Sequence, residues 1–427
     1  MKSKVILLFL LTISLCGCSV RHSNSVPEHL RGLKNLTVFP NDNKLIYHIS
    51  FKRNTIYNKS QKVLIGRMGD IAVDHSGRVY IVDIQQKMIH MFNPTGRYIT
   101  HIGRKGRGPG EFVVPPSITI TSNQLYAYDL MAVRLSIFSL DSFTLTKTIN
   151  LNLIKQDSIK SLSRYWINQI IPESNGRLLA GFGPQAVQFN PELPNFNADS
   201  LYEKYYFLND KAKFISNEIF QEKKAKYLIA KVGGNYRIAN FSFIPKSIMT
   251  VNKSGYIYST KSNDFLISEY DSNGQYLGAF YYPFQKAKLT RKAAMESQNI
   301  HFGTKYRQSI IKRNALPKTW PAINDLKIDS QNRLWVSTIV KNMKVYQWWV
   351  LNPNGKLIAR FNWPRNKPIE VIKKGYIYTR ETDTTTGISK IVRYRIVMQK
   401  HSANTPSKKR IVNVSYKLKN IDRSGGR

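Results

Sequence analysis

The segment GDIAVDHSGRVYIVDIQQKMIHMFNPTGRYITHIGRKGRGPGEF, from Gly69 to Phe112, decides the fold of this chain. It holds four short apolar runs separated by turn-forming residues, which predicts four consecutive β-strands: Ile71–Asp74, Val79–Asp83, Met88–Phe92 and Tyr98–Ile102. A glycine-rich segment, Gly103–Phe112, then leads onward. Because one four-stranded sheet cannot bury both of its faces alone, similar units are expected along the chain.

The first hairpin of this unit recurs. In each copy a glycine or asparagine, which tolerates a positive φ, occupies the turn, and a branched aliphatic residue followed by a bulky one starts the next strand. The six turn residues are Gly77, Asn123, Gly176, Gly255, Asn332 and Gly375. Second turns of related sequence end at Gly96, Gly274 and Gly355. The chain therefore contains six related β-units.

The spacing of the six turns predicts an all-β fold, a six-bladed β-propeller with four-stranded blades. Successive turns lie 46, 53, 79, 77 and 43 residues apart, and the short intervals are typical of one blade. The long intervals need insertions, which we place at about Pro184–Glu203 and, between blades four and five, at Leu289–Pro317. In the second insertion, Thr290 can cap one short helix and Thr304 another.

A propeller must also close its ring. The sixth unit is one strand short, so we predict that Leu36–Phe39 or Leu45–Ile49 completes it beside Ile391–Ile396. Closure removes the free sheet edges that would invite aggregation. The propeller then covers residues 36–398, and residues 399–427 form a basic tail.

The N-terminus is similar to a bacterial lipoprotein signal. Lys2 and Lys4 precede an apolar run, Val5–Leu15, that is too short to span a bilayer permanently. The sequence LCGC that follows resembles a lipobox, which implies a signal peptide over residues 1–17 and lipidation of Cys18. A chance cysteine after an ordinary signal peptide is the alternative.

The two cysteines of the chain both lie in this motif. If Cys16 is removed and Cys18 is lipidated, the mature domain has no free thiol, no disulfide and no cysteine-based metal site. Residues 18–35 then form the lipidated end and a polar tether. Residue 19 is not acidic, which by resemblance to lipoprotein sorting implies the outer membrane, with the periplasmic or surface face left open.

The glycine-rich segment carries a family resemblance. Together with the preceding pattern of Asp74, Gly77, Val79-Tyr80 and Asp83, it resembles the NHL-type repeat. From about residue 36 to 398 the chain is similar to six-bladed β-propeller lipoproteins of Bacteroidetes-type bacteria. The resemblance is specific for the fold, whereas such propellers include both binding modules and enzymes.

The second strand of each unit should end on the propeller face that carries the connections between blades. Six residues after the turns lie Asp83, Asp129, Phe182, Lys261, Thr338 and Glu381. We predict that they ring the channel mouth, joined by Arg104 and Arg107 of the glycine-rich segment, and that they are candidates for recognising a polar ligand. In the alternative interpretation, which we favour, Asp83 and Asp129 accept backbone hydrogen bonds from the loops that follow them.

The glycine-rich segment could also cradle an anion. Its successive N–H groups lie beside Arg104, Lys105 and Arg107 in the sequence. However, no helix follows it, and Pro115-Pro116 favours an extended chain instead. We therefore favour a structural connector between blades.

A metal-dependent enzyme of the lyase or lactonase kind is the alternative to a binding module. The eight histidines are scattered and no unit repeats one at an equivalent position, which argues against a histidine-lined catalytic metal. By resemblance to lactonase-like propellers, calcium held by Asp83 and Asp129 stays open, although the sequence offers no complete ligand set. No other cofactor is predicted.

Tryptophans offer another possible ligand contact. Trp348 and Trp349 are adjacent in a predicted strand and so point to opposite faces, and Trp363 follows nearby. They could stack on sugars. Core packing is the favoured interpretation because an indole buries a large area.

Charge is the feature that packing does not explain. Without the signal peptide, 63 basic residues face 26 acidic ones, a net charge of +37. Such a field attracts polyanions such as acidic polysaccharide, lipopolysaccharide phosphates or anionic lipid. Nucleic acid is disfavoured because the signal directs the chain out of the cytoplasm. A basic bias of the whole proteome is the alternative explanation.

The sequence thus predicts a lipid-anchored, monomeric β-propeller at the cell envelope that binds or scaffolds an envelope glycan or a protein partner.

Overall fold

The computed structural model describes residues 26–40, 44–58, 63–153, 159, 162–163, 165–184, 201–224, 226–232, 234–298 and 304–401. The predicted signal peptide, Cys16, Cys18, most of the tether, most of the basic tail and most of the Pro184–Glu203 insertion lie outside these residues. The described part contains short strands and two short helices, α1 (Arg291–Glu296) and α2 (Thr304–Arg313), with 3₁₀ turns at Glu28–Leu30 and Leu151–Leu153.

The strands are numbered in chain order: β1 (Leu36–Val38), β2 (Tyr47–Tyr57), β3 (Met68–Val73), β4 (Val79–Asp83), β5 (Met88–Phe92), β6 (Tyr98–Ile102), β7 (Ser117–Thr121), β8 (Gln124–Asp129), β9 (Arg134–Ser139), β10 (Leu145–Asn150), β11 (Tyr165–Pro172), β12 (Leu178–Pro184), β13 (Tyr202–Leu208), β14 (Phe220–Lys223), β15 (Leu228–Val232), β16 (Asn235–Ala239), β17 (Ile248–Val251), β18 (Ile257–Thr260), β19 (Leu266–Tyr270), β20 (Tyr276–Tyr281), β21 (Ile323–Ile328), β22 (Leu334–Ile339), β23 (Val345–Leu351), β24 (Leu357–Pro364), β25 (Ile369–Lys373), β26 (Tyr376–Thr382) and β27 (Ser389–Lys400).

These strands form six blades, and the predicted six-bladed β-propeller is confirmed. Blades one to five are the antiparallel sheets β3–β6, β7–β10, β11–β14, β17–β20 and β21–β24. Blade six contains β25–β27 and takes its fourth strand from β2. The first strand of each blade lines the centre. We call the face where the second strands end, beside the connections between blades, the upper face.

The ring closes as predicted by the second of the two N-terminal candidates. Strand β2 pairs antiparallel with β27, with Phe51 opposite Ile396. The first candidate instead adds a fifth strand to blade four, where β1 runs parallel to β20. Two aromatic contacts support this position, because Phe39 stacks on Tyr282 at 5.1 Å and lies beside Phe280.

Several turns at the lower face share one local device. An Asp or Asn begins the turn, and its side-chain oxygen accepts N–H groups two and four residues later. Asp74 accepts from Ser76 and Arg78 in blade one, and Asp329 accepts from Gln331 and Arg333 in blade five. The predicted left-handed residue follows at Gly77, Gly176, Gly255, Asn332 and Gly375. In blade two the left-handed residue is Ser122 (φ 50°), not Asn123, in a turn with two residues between Thr121 and Gln124.

Apolar side chains pack between neighbouring blades. Tyr57, Phe92 and Tyr378 are fully buried where blade six meets blade one. Trp335, Trp348 and Trp363 are buried in the cluster of blades five and six, so core packing of these indoles is observed. Burial of a large side chain stabilises the fold by roughly 1.5–3 kcal/mol.

A small cap covers the upper face near blades four and five. It consists of the β15–β16 hairpin, α1 and α2, which share an apolar core with Trp320 and the buried Ile310 and Ile311. Both predicted helices are present, and Thr290 caps α1 by accepting the Ala293 N–H at 3.1 Å. The hairpin was not predicted, although two adjacent glycines between two apolar runs of the sequence are a recognised turn signal.

Candidate functional site

The two predicted aspartates at the upper face serve the protein's own loops. Asp83 is fully buried, and its Oδ1 accepts the N–H groups of Gln85 and Gln86 at 2.8 and 2.9 Å. Asp129 accepts N–H groups from two different loops, at Val113, Val114, Met131 and Ala132. This is the favoured alternative of the sequence analysis, in which each aspartate anchors a loop.

The other three upper-face candidates have different surroundings. Thr338 is fully buried and its Oγ1 donates to the Gln347 carbonyl at 2.9 Å. Glu381 accepts the Tyr394 hydroxyl at 2.6 Å and pairs with Lys367 at 3.1 Å. Burial opposes ionisation of Glu381, but these partners outweigh it and hold the pKa of its carboxyl below the usual value. Lys261 is exposed. Phe182, the remaining position of the predicted ring, is fully buried in the apolar core and does not face the channel mouth.

The glycine-rich segment is a closed connector. Arg104 donates to Glu111 at 2.8 Å, and the Gly108 N–H donates to the same carboxylate at 2.8 Å. These donors hold the pKa of Glu111 below its usual value. Arg107 is exposed, and its carbonyl accepts from Arg134. The segment's own glutamate thus takes the position that an external anion would need.

The central channel has an opening of about 490 Å³ lined mainly by blades four, five and six. Most of its charged groups have partners within the protein. Asp325 pairs with Lys327 at 3.0 Å, Glu370 pairs with Arg380 at 2.8 Å, and Lys373 donates to the Val73 carbonyl. Among the described residues, no group of three or more His, Cys, Asp or Glu side chains is placed to hold a metal ion.

A larger cleft lies between blades four and five and is the candidate functional site. Its volume is about 800 Å³. One wall is the connection that leaves blade four, residues 284–290, and the other is formed by the loop after β22 and by the outer strands β23 and β24. The cationic residues that line it are Lys286, Lys288, Lys341 and Arg360, and no Asp or Glu is among its lining residues.

Arg360 is the central group of this cleft. Residue 360 on β24 lies directly opposite Trp349 on β23, and its guanidinium stacks on the indole 4.9 Å from the ring centroid. Within the described part of the chain, no carboxylate, carbonyl or hydroxyl accepts a hydrogen bond from it. Burial lowers the pKa of Arg360. A partly desolvated cation without an acceptor is costly to the protein, and an anionic ligand would compensate for that cost.

The indole beneath Arg360 is rigidly held. Trp349 is only 2% exposed and packs edge-on against Phe265, Tyr282 and Phe284. Its indole N–H is buried with no hydrogen-bond partner in the described residues. Because Arg360 covers one face of the ring, Trp349 positions the guanidinium and does not offer an open stacking surface to a sugar.

The lysines of the cleft differ in their partners. Lys286 pairs with Asp264 at 3.1 Å, and Asp264 also contacts His29 at 2.9 Å. Burial opposes ionisation of Asp264, yet hydrogen bonds from His29 and Lys286 hold its pKa below the usual value. Lys288 and Lys341 are exposed at the rim. Two exposed lysines at the rim and one arginine inside the cleft suit an anion that enters from the upper face.

The cap extends this positive charge. Residues 223–240 and 285–318 together carry fourteen basic residues and one acidic residue, Glu296. Sequence reasoning missed the cleft because the partners Trp349 and Arg360 are joined only by strand register. The signal that could have pointed to it is this concentration of basic residues in the predicted helical insertion.

Comparison with known proteins agrees with the fold. A family model described as a 6-bladed beta-propeller matches residues 58–170. A protein described as exported from Bacteroides fragilis has 13% identity and a TM-score of 0.47, with 85% of this chain and 99% of that chain covered. A member of the DUF4221 family from Bacteroides vulgatus has 10% identity and a TM-score of 0.48, with 84% and 100% covered. Virginiamycin B lyase from Staphylococcus aureus has 12% identity and a TM-score of 0.38, with 82% and 100% covered.

No curated protein matches this chain. Within the described residues, no helix has the length and apolar character needed to cross a bilayer.

Proposed function

We propose that this protein is a binding module of the cell envelope that recognises an acidic glycan in the cleft between blades four and five. The observation that carries the proposal is the Arg360 guanidinium, which is partly buried on Trp349 and has no acceptor among the described residues. A carboxylate, sulfate or phosphate group could accept two of its hydrogen bonds at once. The polar side chains Gln285, Thr290 and Gln347 in the same cleft suit the hydroxyl groups of a sugar.

Charge and the N-terminal signal support the envelope role. A net charge of +37 after removal of the signal peptide concentrates polyanions near the protein. The lipobox-like sequence ending at Cys18 would tether the propeller to the outer membrane, where acidic glycans and lipopolysaccharide are available. Replacement of Cys18 by alanine should release the protein from the membrane fraction, and retention there would contradict the proposed anchor.

Calorimetric titration with a defined acidic oligosaccharide tests the binding site. The probe is tetragalacturonate and the neutral control is maltotetraose, each titrated into the full-length chain. Because a hydrogen bond to a charged group contributes about 1.5–3 kcal/mol, Arg360→Met should weaken tetragalacturonate binding roughly tenfold or more. The matched control is Lys356→Met, which removes one positive charge from the exposed lower turn of the same blade.

The control variant and the salt dependence show whether the oligosaccharide binds at a defined site or through the diffuse positive charge of the surface. Arg360-dependent binding should persist at about 0.5 M salt, where exposed charges are largely screened. Equal weakening by Arg360→Met and Lys356→Met, or equal binding of maltotetraose, would refute the proposal.

A further inference from the structure

A second cavity adjoins the cleft. It has a volume of about 450 Å³ and lies between α1, the beginning of blade five and the end of β24. Met343, in the loop after β22, lines both cavities. The two cavities therefore lie next to each other at the Met343 side chain.

The second cavity repeats the arrangement of the first. Arg365, directly after β24, stacks on the ring of Tyr346 at 4.3 Å, and its Nε donates to the Val345 carbonyl at 3.1 Å. Its Nη2 is buried and has no acceptor among the described residues. Burial lowers the pKa of Arg365. Each cavity thus contains an arginine that is stacked on an aromatic ring of β23 and has guanidinium N–H groups without an acceptor among the described residues.

Other groups in the second cavity are neutral or lie at its rim. Asn324 donates to the Ser337 hydroxyl at 3.2 Å, which leaves its carbonyl oxygen available. The Trp320 indole N–H is buried with no partner in the described part of the chain. Glu296 is the single carboxylate that lines the cavity, and it is exposed on α1. A ligand with one anionic group and neighbouring hydroxyl groups would match these residues.

The two arginines are held apart. They are five residues apart, which corresponds to roughly 16 Å of extended chain. Tyr346 and Trp349 are three residues apart on β23, so their rings project from opposite faces of the sheet. A single carboxylate or phosphate group cannot reach both guanidinium groups in this arrangement.

We infer that the two cavities are consecutive subsites for one oligomeric polyanion, an acidic oligosaccharide that crosses the edge of blade five at Met343 with one acidic group on each arginine. This inference rests on the proposed function and specifies its ligand. A ligand with regularly repeated acidic groups fits both cavities, whereas a singly charged sugar fills only one. Linking two binding events in one molecule raises affinity by effective concentration.

Galacturonate oligomers of one to six residues, titrated into the full-length chain, test the inference. In the wild-type protein, affinity should rise at least tenfold once the oligomer is long enough to span both subsites. In Arg365→Met this dependence on length should disappear, so that the hexamer binds like the monomer to within about threefold. Lys356→Met is the charge-matched control and should keep the wild-type dependence.

The outcomes separate the two proposals. If Arg360→Met weakens binding but Arg365→Met keeps the full dependence on length, the second subsite is wrong and the proposed function stands. If Arg365→Met weakens the binding of oligomers of every length equally, Arg365 does not form a separate subsite and the inference is also wrong. If Arg360→Met changes nothing, or no oligomer binds, the proposed function fails and the inference fails with it.

Arg365→Lys addresses the risk that the methionine variant does not fold. Lysine keeps the charge but not the planar, forked group that stacks and binds an anion in two places. This variant should also lose the dependence on length while it keeps the wild-type melting temperature. Retention of the wild-type dependence in a folded Arg365→Lys protein would overturn the inference.

Discussion

The carboxylate of Asp129 in blade two and the arginines of blade five are all partly or fully buried charges at the upper face, yet they have opposite surroundings. Asp129 receives four backbone N–H groups from two loops. Arg360 and Arg365 stack on aromatic rings and leave donors without acceptors in the described part of the chain. Both arrangements are specific, but in our proposal only the second needs a ligand from outside the protein.

This difference separates structural charges from candidate functional ones. Removing a buried group whose partners are all internal leaves those partners unsatisfied, so the fold loses stability. Removing a charge that has no acceptor among the described residues should cost the fold little, because no group of the protein then loses a hydrogen bond. Stability and binding should therefore respond in opposite ways in the two regions.

The largest expected effect is on the stability of the aspartate region. Asp129→Ala should lower the free energy of unfolding by about 3 kcal/mol or more, because four N–H groups lose their acceptor. Urea denaturation measures this change. Asp210→Ala is the control, since that exposed carboxylate pairs with the exposed Lys147 and its removal should leave the urea midpoint nearly unchanged. Similar midpoints for both variants would remove the basis of the comparison.

A smaller effect is expected from the arginine region. Arg360→Met should change the free energy of unfolding by less than about 1 kcal/mol, because the lost cation–π contact is offset by the removal of a partly desolvated charge. Methionine keeps an apolar chain over Trp349. The same urea series measures the change. A loss of more than about 2 kcal/mol would show that Arg360 supports the fold and would weaken its assignment as a ligand-binding group.

The fold was predictable because it repeats. Turn residues such as Gly77 and Gly255 are fixed by local backbone geometry, and their spacing along the chain shows the number of blades. The closing strand could be predicted as one of two segments, since the sixth unit lacked a strand. That β1 would instead join blade four depends on contacts of Phe39 with Phe280 and Tyr282, which are distant in sequence.

The cleft could not be predicted in the same way. Its walls come from two blades and an insertion, and the contact between Trp349 and Arg360 depends on the register of two strands. Sequence reasoning selected Asp83 and Asp129 because they end strands beside the connections between blades. The same position explains why they cap the following loops, so location at the channel mouth was by itself weak evidence for ligand binding.

The smallest expected effect concerns a carboxylate whose surroundings lie between these two extremes. Glu222 on β14 is buried, and among the described residues its carboxylate accepts hydrogen bonds from two hydroxyl groups, those of Ser259 at 2.6 Å and Ser247 at 3.1 Å. Burial raises the pKa of Glu222, although both hydroxyls and Lys261 oppose this, while Glu203 reinforces it. The folded state therefore keeps the Glu222 proton to a higher pH than the unfolded chain does, so ionisation of this group destabilises the fold.

The Glu222→Gln variant tests whether ionisation of Glu222 destabilises the fold. In the wild-type protein, the Glu222 contribution to stability is most favourable below the unfolded-state pKa of about 4.3 and declines as the pH rises towards the folded-state pKa. The glutamine variant keeps the shape and both hydroxyl contacts but cannot ionise. Its stability relative to wild type should therefore increase from about pH 4 upward and then level off, as measured by urea midpoints between pH 4 and 8. If the stability of the two proteins depends on pH in the same way, Glu222 ionises in the folded protein as easily as in water. Two hydroxyl groups and a nearby lysine would then satisfy a buried carboxylate as fully as the four N–H groups satisfy Asp129.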